Sequence, residues 1–233
     1  MRRWLKLMAL VALGVSVRAQ SGAAAAKHPD LSGSWRAERD GFGPDNVGFP
    51  IPTPYLPEAA AKAKLLKGAD DPGARCIPYG VTRQTMGAQL AWLDIAQSPT
   101  KIYILYFQRY SEQVIYMDGR KHPKTLAPAS YYGHSIGHWE GDTLVADIVL
   151  ENPRTWFETP AGDRPVLIHS AALHLTERFR VLEGGRILEI RTTIEDPKTY
   201  TQPIQLVHRF RSVNGQEQTE YICEEGIQLE GDL

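Results

Sequence analysis

Runs in which apolar and polar residues alternate, joined by turns of two or three residues that contain glycine, constrain the fold of this sequence most strongly. The paired runs are Gly133–Trp139 with Asp142–Leu150, Ala172–Leu182 with Arg186–Glu195, and Ile204–Ser212 with Gln216–Cys223. The turns between them are Glu140-Gly141, Glu183-Gly184-Gly185 and Asn214-Gly215. Alternation with period two is typical of strands, and so short a turn joins only antiparallel neighbours. The sequence therefore predicts three β-hairpins.

The first half of the chain adds further strands and one helix. Leu31–Glu38 and Gln113–Met117 are predicted strands, and Lys101–Phe107 is apolar at both parities, as in a strand covered on both sides. We expect a mainly β fold, an antiparallel meander forming an up-and-down barrel or a strongly curled sheet, because closure removes exposed edges. One short helix is predicted near residues 57–67, where a proline and a glutamate come first and lysines last.

The N-terminal residues have the pattern of an export signal. Arg2, Arg3 and Lys6 precede the apolar run Leu7–Val17, and a small-residue cleavage pattern ends at Ala19. The run is about half the roughly 20 residues that a membrane-spanning helix needs, and the alternative is a buried helix. We expect three segments: a signal peptide (1–19), a flexible tether (20–30) and a single β-barrel-like domain (31–233). The protein would then be periplasmic or extracellular.

Charge and cysteine content exclude some partners and predict a crosslink. The chain has 26 basic and 27 acidic residues, so it lacks the positive excess expected of a protein that binds nucleic acid or an anionic membrane. We predict neither nucleic-acid binding nor stable membrane insertion. Cys76 and Cys223 lie far apart, without metal or redox spacing, and an exported chain meets oxidising conditions. A Cys76–Cys223 disulfide is predicted; the alternative is two separate buried thiols.

Two ionisable residues fall on strand faces that are otherwise apolar. Strand parity places Glu177 with Leu173, Leu175 and Phe179, and it places His208 among similar neighbours on Ile204–Ser212. A buried unpaired charge is expensive, so each should have a partner. If its strand begins early enough, His169 shares the face of Glu177, which would give a carboxylate–imidazole acid–base pair. The alternative is that these groups are structural, or that Glu177 reaches water.

Several phrases resemble a large group of uncharacterised secreted proteins of soil bacteria. They are Asp30–Trp35, Cys76–Gly80 with Arg83, Asp118–Pro123, Gly133–Leu144, His169-Ser170, Glu177–Phe179 and Glu220–Cys223. The most specific is the Gly-His-Ser-Ile-Gly-x-Trp-Glu-Gly-Asp-Thr-Leu phrase. The resemblance implies export and a lipocalin-like, or calycin, architecture, but no activity. Gly33-Ser34-Trp35 is similar to the Gly-x-Trp of lipocalins, which implies an arginine, Arg209 or Arg211, packed on the indole.

Motifs of known chemistry are weak in this sequence. Gly133, Ser135 and Gly137 match the letters of a serine-hydrolase elbow, but the flanking residues predict a hairpin strand. His134 and His138 stand four apart on one strand, roughly 13 Å, so they cannot share one metal ion unless the strand bulges. A metal site would need histidines from several strands, with Glu177 or Asp142. We predict no metal and no cofactor, since phosphate loops and dinucleotide motifs are lacking.

Three functional hypotheses stay open at this point. The first is a binding protein whose barrel holds a small hydrophobic or aromatic ligand. The second is a cofactor-independent lyase, isomerase or hydrolase with a histidine–glutamate acid–base pair in the same pocket, and the third is a structural or interaction protein of the cell envelope. The candidate catalytic residues are His134, Glu177 and His169. The candidate ligand-binding residues are His122, His134, Arg120, Tyr106, Trp139 and His208.

Overall fold

The structure, a computed structural model, describes residues 28–37, 47–86, 91–108, 111–126, 128–158, 166–217 and 223. The predicted signal peptide and residues 20–27 of the predicted tether lie outside this part of the chain. None of the helices within it is long and apolar enough to cross a membrane.

Within the described residues the strands and helices follow in this order. They are β1 (Gly33–Ala37), α1 (Pro57–Leu65), α2 (Val81–Met86), β2 (Trp92–Gln97), β3 (Lys101–Tyr106), β4 (Ser111–Tyr116), β5 (His134–Glu140), β6 (Thr143–Val149), β7 (Trp156–Glu158), β8 (Leu167–Ile168), β9 (His174–Leu182), β10 (Ile187–Glu195) and β11 (Ile204–Ser212). Two short 3₁₀ turns, Gly68–Asp70 and Pro72–Arg75, lie between the helices. The predicted mainly β class is confirmed.

Nine of the described strands close into a barrel in the order β1-β11-β10-β9-β6-β5-β4-β3-β2, and β2 returns to pair with β1. The hairpins β5–β6 and β9–β10 are confirmed, with registers such as Gly137 opposite Ala146 and Glu177 opposite Thr192. The third predicted hairpin is not seen, because β11 pairs with β10 and β1 instead. Most of its expected partner strand, residues 218–222, lies outside the described residues.

The barrel departs from a simple meander at two places. β4 and β5 are parallel, with Ile115 opposite Ser135, and the crossover 117–133 joins them. Between β6 and its neighbour β9, the chain makes a separate two-stranded sheet of β7 and β8. Neither feature was predicted, because only tight turns fix the pairing of consecutive strands. The predicted cover on both faces of β3 is also wrong, since Leu105 on the outer face is 45% exposed.

The inward parity of the strands supplies the core. Its members include Trp35, Leu93, Ile102, Ile104, Ile115, Leu144, Ile148, Leu175, Phe179, Leu188, Ile190, Leu206 and Phe210. The Trp35 indole donates to the Leu31 carbonyl oxygen at 3.0 Å. Arg209 pairs with Glu189 across the β10–β11 ladder, and its side chain alternates with inward Phe210. The packing of Arg209 or Arg211 on the Trp35 indole, which the resemblance implies, stays a prediction.

The disulfide between Cys76 and Cys223 is confirmed, with the two Cα atoms 5.8 Å apart. It joins positions separated by 147 residues in the sequence. Cys76 ends the turn before α2, and the same segment is anchored by a two-pronged ion pair, in which Arg83 donates to both carboxylate oxygens of Asp71 at 2.8 and 2.7 Å. The ion pair ties α2 to the loop before it, and the disulfide ties that loop to Cys223.

Candidate functional site

A set of polar side chains points into the apolar barrel, each at most 5% exposed. They are Tyr106 on β3, Gln113 on β4, Ser135 on β5, Glu177 on β9, Thr192 on β10 and His208 on β11. Each alternates with outward residues of its own strand, so the pleat of the barrel brings them to one interior. We call these six residues the interior group.

The side-chain amide of Gln113 contacts three other members of the interior group. The Tyr106 hydroxyl donates to Gln113 Oε1 at 2.7 Å. The Gln113 amide nitrogen donates to Ser135 Oγ at 3.1 Å and, more weakly, to Glu177 Oε2 at 3.5 Å. Because these partners fix which end of the amide faces which neighbour, Gln113 holds Glu177 in one orientation.

Glu177 lies at the boundary between its neutral and its ionised form. Burial raises the pKa of its carboxyl to about 7, and the Gln113 amide and the Thr192 hydroxyl oppose that shift only in part. Burial also raises the pKa of the Tyr106 phenol well above its usual value, and the nearby Glu177 and Glu151 raise it further. Tyr106 is therefore a neutral donor, whereas Glu177 can gain or lose a proton near neutral pH.

Three atoms of the interior group have no hydrogen-bond partner within the described residues: Glu177 Oε1, Thr192 Oγ1 and His208 Nε2. Thr192 lies opposite Glu177 in the β9–β10 register, and its hydroxyl is close enough to lower the pKa of the carboxyl, although the two groups do not meet the distance and angle of a hydrogen bond. Leu206 lies opposite Thr192, and His208 is two positions further along β11. His208 is therefore a diagonal neighbour of Thr192. Burial lowers the pKa of His208 to about 4 and keeps its imidazole neutral.

A second buried group combines Glu151, Thr155 and His169, which follow β6, precede β7 and follow β8, respectively. Thr155 Oγ1 lies 2.6 Å from His169 Nε2 and 3.3 Å from Glu151 Oε1. His169 Nδ1 lies 3.1 Å from the Ser170 carbonyl oxygen, and its ring stacks on Phe157. We call Glu151, Thr155 and His169 the Glu–Thr–His line.

Burial shifts both ends of the Glu–Thr–His line towards their neutral forms. It raises the pKa of Glu151 to about 8, a shift that contact with Thr155 opposes and that nearby Glu177 increases. It lowers the pKa of His169 to about 4. Glu151 Oε2 has no hydrogen-bond partner among the described residues. At neutral pH the line therefore carries a protonated carboxyl at one end and a neutral imidazole at the other.

The backbone around Glu151 is unusual. Leu150 has a φ of 63°, a conformation that costs energy for a residue with a side chain. Gly80 has a φ of 79°, and a β-carbon there would overlap Glu151 Oε1. The close approach of Gly80 is what lets the carboxyl lie under the start of α2.

No family model matches this chain, and no curated protein is detectably similar to it. The two buried groups therefore carry the functional assignment by their own chemistry.

The structure places His122 and His134 on the outside of the barrel. Their Nδ1 atoms are 2.8 Å apart, and His134 stacks on Tyr116. His134 lines an outer cleft of about 260 Å³ between β4 and the crossover, and partial burial together with His122 lowers its pKa. Since His134 and inward Ser135 are adjacent on β5, these histidines face away from Glu177. The predicted convergence of His134 and Glu177 on one pocket is not observed.

The remaining predicted site residues are divided between the barrel interior and other parts of the structure. Arg120 is exposed, pairs with Asp118 and lies over the Tyr116 ring, 3.7 Å from its centroid. Trp139 is partly buried at the end of β5 and stacks on His28. His169 is buried beside Glu151 rather than Glu177, because it directly follows β8, which belongs to the separate two-stranded sheet and not to the barrel. Tyr106, Glu177 and His208 do share the interior.

Sequence reasoning missed Gln113, Thr192, Glu151 and Thr155. Gln113 and Thr192 carry a signal that parity alone could have detected, since each lies on the apolar face of its strand. Glu151 and Thr155 lie outside the regular strands, where no periodicity applies. Among the described residues no group of three or more histidine, cysteine or acidic side chains has an arrangement that could hold a metal ion.

Proposed function

We propose that the barrel binds a small, largely apolar molecule in its interior and orients it by a hydrogen-bonding group of that molecule. The observation that carries the proposal is a set of three atoms that have no hydrogen-bond partner in the described part of the chain: Glu177 Oε1, Thr192 Oγ1 and His208 Nε2. An unpaired polar atom in a protein interior costs roughly 1–3 kcal/mol, so three of them on adjacent strands are expensive unless something binds there. A ligand group would offset that cost.

The surroundings of these atoms suggest the character of the ligand. Phe179 and Phe210 flank Glu177 and His208 along their own strands, and Ile190 lies opposite His208. Small-molecule sites typically combine such apolar walls with a few polar groups that fix orientation. His208 is neutral and Glu177 is only partly ionised at neutral pH. A neutral hydroxyl, phenol or carbonyl group on an otherwise hydrophobic or aromatic ligand fits better than a formal charge.

We further propose that the protein is exported to the periplasm or the outside of the cell. The Cys76–Cys223 disulfide supports this, because such bonds persist in oxidising compartments. The N-terminal sequence pattern supports it as well. A binding protein in that location would take up or carry a ligand that its own cell meets outside the cytoplasm.

Native mass spectrometry of protein purified from the periplasm of its own cells tests the proposed binding. We expect a population with the added mass of a small molecule, and we expect Thr192→Val and His208→Phe to lower its occupancy at least tenfold. Thr193→Val changes the adjacent, outward-facing threonine and is the matched control. Wild-type protein that never carries a small molecule, or equal occupancy in Thr192→Val and Thr193→Val, would overturn the proposal.

A further inference from the structure

We propose that Glu151, Thr155 and His169 form a proton relay, which lets the barrel catalyse proton transfer at the carbon next to a carbonyl group of an apolar ligand. The inference rests on the proposed function, because it requires a ligand inside the barrel. It assigns that site a reaction and assigns the ligand a chemical class. Glu151 is the group that would touch the ligand, and Thr155 and His169 act through it.

The far end of the line fixes the order of donors and acceptors. The Ser170 carbonyl oxygen can only accept, so the hydrogen in the 3.1 Å contact belongs to His169 Nδ1. A neutral imidazole then has Nε2 free as an acceptor, and the Thr155 hydroxyl donates to it at 2.6 Å. The Thr155 oxygen in turn accepts from protonated Glu151 at 3.3 Å. Every donor along the line has an acceptor next to it.

The same contacts allow the protonated state of the imidazole. If His169 Nε2 gains a hydrogen, it donates to Thr155 Oγ1, and the threonine hydroxyl can turn to the Asn152 carbonyl oxygen at 3.0 Å. Nearby Asp196 favours the positive charge. His169 and Glu151 are themselves 3.9 Å apart, too far for a direct hydrogen bond. Proton movement between them must therefore pass through Thr155.

One transfer along the line moves three protons and conserves total charge. A carbon–hydrogen bond of the ligand breaks, and its proton moves to Glu151 Oε2. The proton on Glu151 Oε1 moves to Thr155 Oγ1, and the hydroxyl proton of Thr155 moves to His169 Nε2. The ligand keeps the electron pair as an enolate, and His169 becomes an imidazolium. The reverse sequence returns a proton to the same carbon or to another carbon of the conjugated system, which isomerises the ligand.

Glu151 also has one carboxyl oxygen that the contact with Thr155 does not use. Its Oε2 is buried and has no partner in hydrogen-bond geometry within the described residues, whereas Oε1 is the atom in contact with Thr155. The Val81 backbone N–H lies near enough to this carboxyl to lower its pKa. The His169 ring stacks on Phe157, and Phe157 belongs to the same buried apolar cluster as Phe179, two positions from Glu177 on β9. A ligand held by Glu177 would then lie within reach of the relay.

The backbone around Glu151 is consistent with a built site. Leu150 takes its left-handed conformation directly before Glu151, and Gly133 lies so close to Val149 and Glu151 that a β-carbon there would collide with the backbone. Gly80 makes a similarly close approach to the carboxyl itself. Strained or glycine-dependent positions tend to cluster where a functional side chain has to be held in place. Three of them lie next to Glu151, and one of these, Gly80, is against its carboxyl.

The test uses 2-tetralone, an apolar aromatic ketone with weakly acidic hydrogens beside its carbonyl group. Full-length protein is incubated with it in D₂O, proton NMR follows deuterium incorporation at those positions, and saturation-transfer NMR measures binding. We expect exchange at least tenfold faster than in buffer. Glu151→Gln and Thr155→Val should lose at least tenfold of that acceleration while 2-tetralone affinity changes less than threefold. Thr155→Ser keeps the hydroxyl and should restore the rate, which a merely structural role would not predict.

Thr193→Val is the matched control and should leave both rate and affinity unchanged. Binding without accelerated exchange, or a full rate in Thr155→Val, would overturn the relay and leave the proposed binding function intact. Failure of 2-tetralone to bind would overturn the ligand class named here. A carried molecule of another class in the native mass spectrum would then show that the binding function itself still holds.

Discussion

At the scale of single residues, burial decides which ionisable groups can exchange protons. Glu177 and Glu151 have folded-state pKa values of about 7 and about 8, and His169 and His208 have values of about 4. All four shifts favour the neutral form, as expected where charge is poorly solvated. Only the carboxyls therefore change charge near neutral pH, so the interior becomes more negative as the pH rises.

The Glu177 shift predicts a pH dependence of stability. The folded pKa of about 7 lies above the ordinary value of 4.5, so the folded state keeps a proton that the unfolded state releases. The contribution to the free energy of unfolding is therefore complete below about pH 4.5 and is lost as the pH rises towards 7. Between pH 5 and pH 8 the free energy of unfolding of the wild type should therefore fall by about 2–3 kcal/mol more than that of Glu177→Gln.

Urea unfolding of wild type and Glu177→Gln at several pH values measures this difference. Glu112→Gln, an exposed substitution on β4, is the control and should leave the pH profile unchanged. Parallel profiles for wild type and Glu177→Gln would mean that Glu177 does not keep its proton in the folded protein.

A second residue-scale prediction concerns Thr192, whose hydroxyl is fully buried and has no partner in hydrogen-bond geometry among the residues that the structure describes. Thr192→Val removes the hydroxyl at nearly constant shape, so we expect the ligand-free protein to gain about 1 kcal/mol in its free energy of unfolding. Chemical denaturation after ligand removal measures this gain. A destabilised variant would indicate that Thr192 has a hydrogen bond in the ligand-free protein, and the binding site would lose one of its three groups.

At the scale of elements, tight turns made the local pairing predictable and longer connections did not. The hairpins β5–β6 and β9–β10 followed from their glycine turns, and the helix at residues 57–67 corresponds to α1, Pro57–Leu65. The parallel β4–β5 pair could not be inferred, because a long crossover sets no register. Parity likewise gave the inward direction of Glu177 and His208, but it could not say that His169 lies beside Glu151.

The short helix α2 and its anchor give a prediction at this scale. Arg83 makes two hydrogen bonds to Asp71 and stacks on Tyr79, 4.0 Å from the ring centroid. Both charged side chains are mostly buried, so Arg83→Met leaves Asp71 without its main partner and should cost about 2 kcal/mol or more.

Hydrogen exchange should locate the loss in residues 71–86, with the barrel strands keeping their protection. Arg186→Met removes an exposed arginine and serves as the control. If Arg83→Met loses protection evenly over all strands, the Asp71–Arg83 link holds the whole barrel and not α2 alone.

At the scale of the whole molecule, closure of the barrel pairs its first and last strands. The disulfide links Cys76, in the loop before α2, to Cys223, which is 147 positions later in the sequence. Closing a loop of this length restricts the unfolded chain, which in the chain-entropy model is worth about 5 kcal/mol and often less in practice. The double variant Cys76→Ser, Cys223→Ser should therefore unfold at clearly lower urea concentration. Wild type under reducing conditions should match it, and an unchanged midpoint would show that the bond adds no stability.

The central claim, that the barrel interior binds a small apolar molecule through Glu177, Thr192 and His208, is tested most directly by a high-resolution crystal structure of natively purified protein. We predict electron density for a non-protein molecule with a polar atom within about 3.5 Å of Glu177 Oε1, Thr192 Oγ1 or His208 Nε2. An interior filled by protein side chains, with these three atoms bonded only to protein groups or to isolated waters, would contradict the claim.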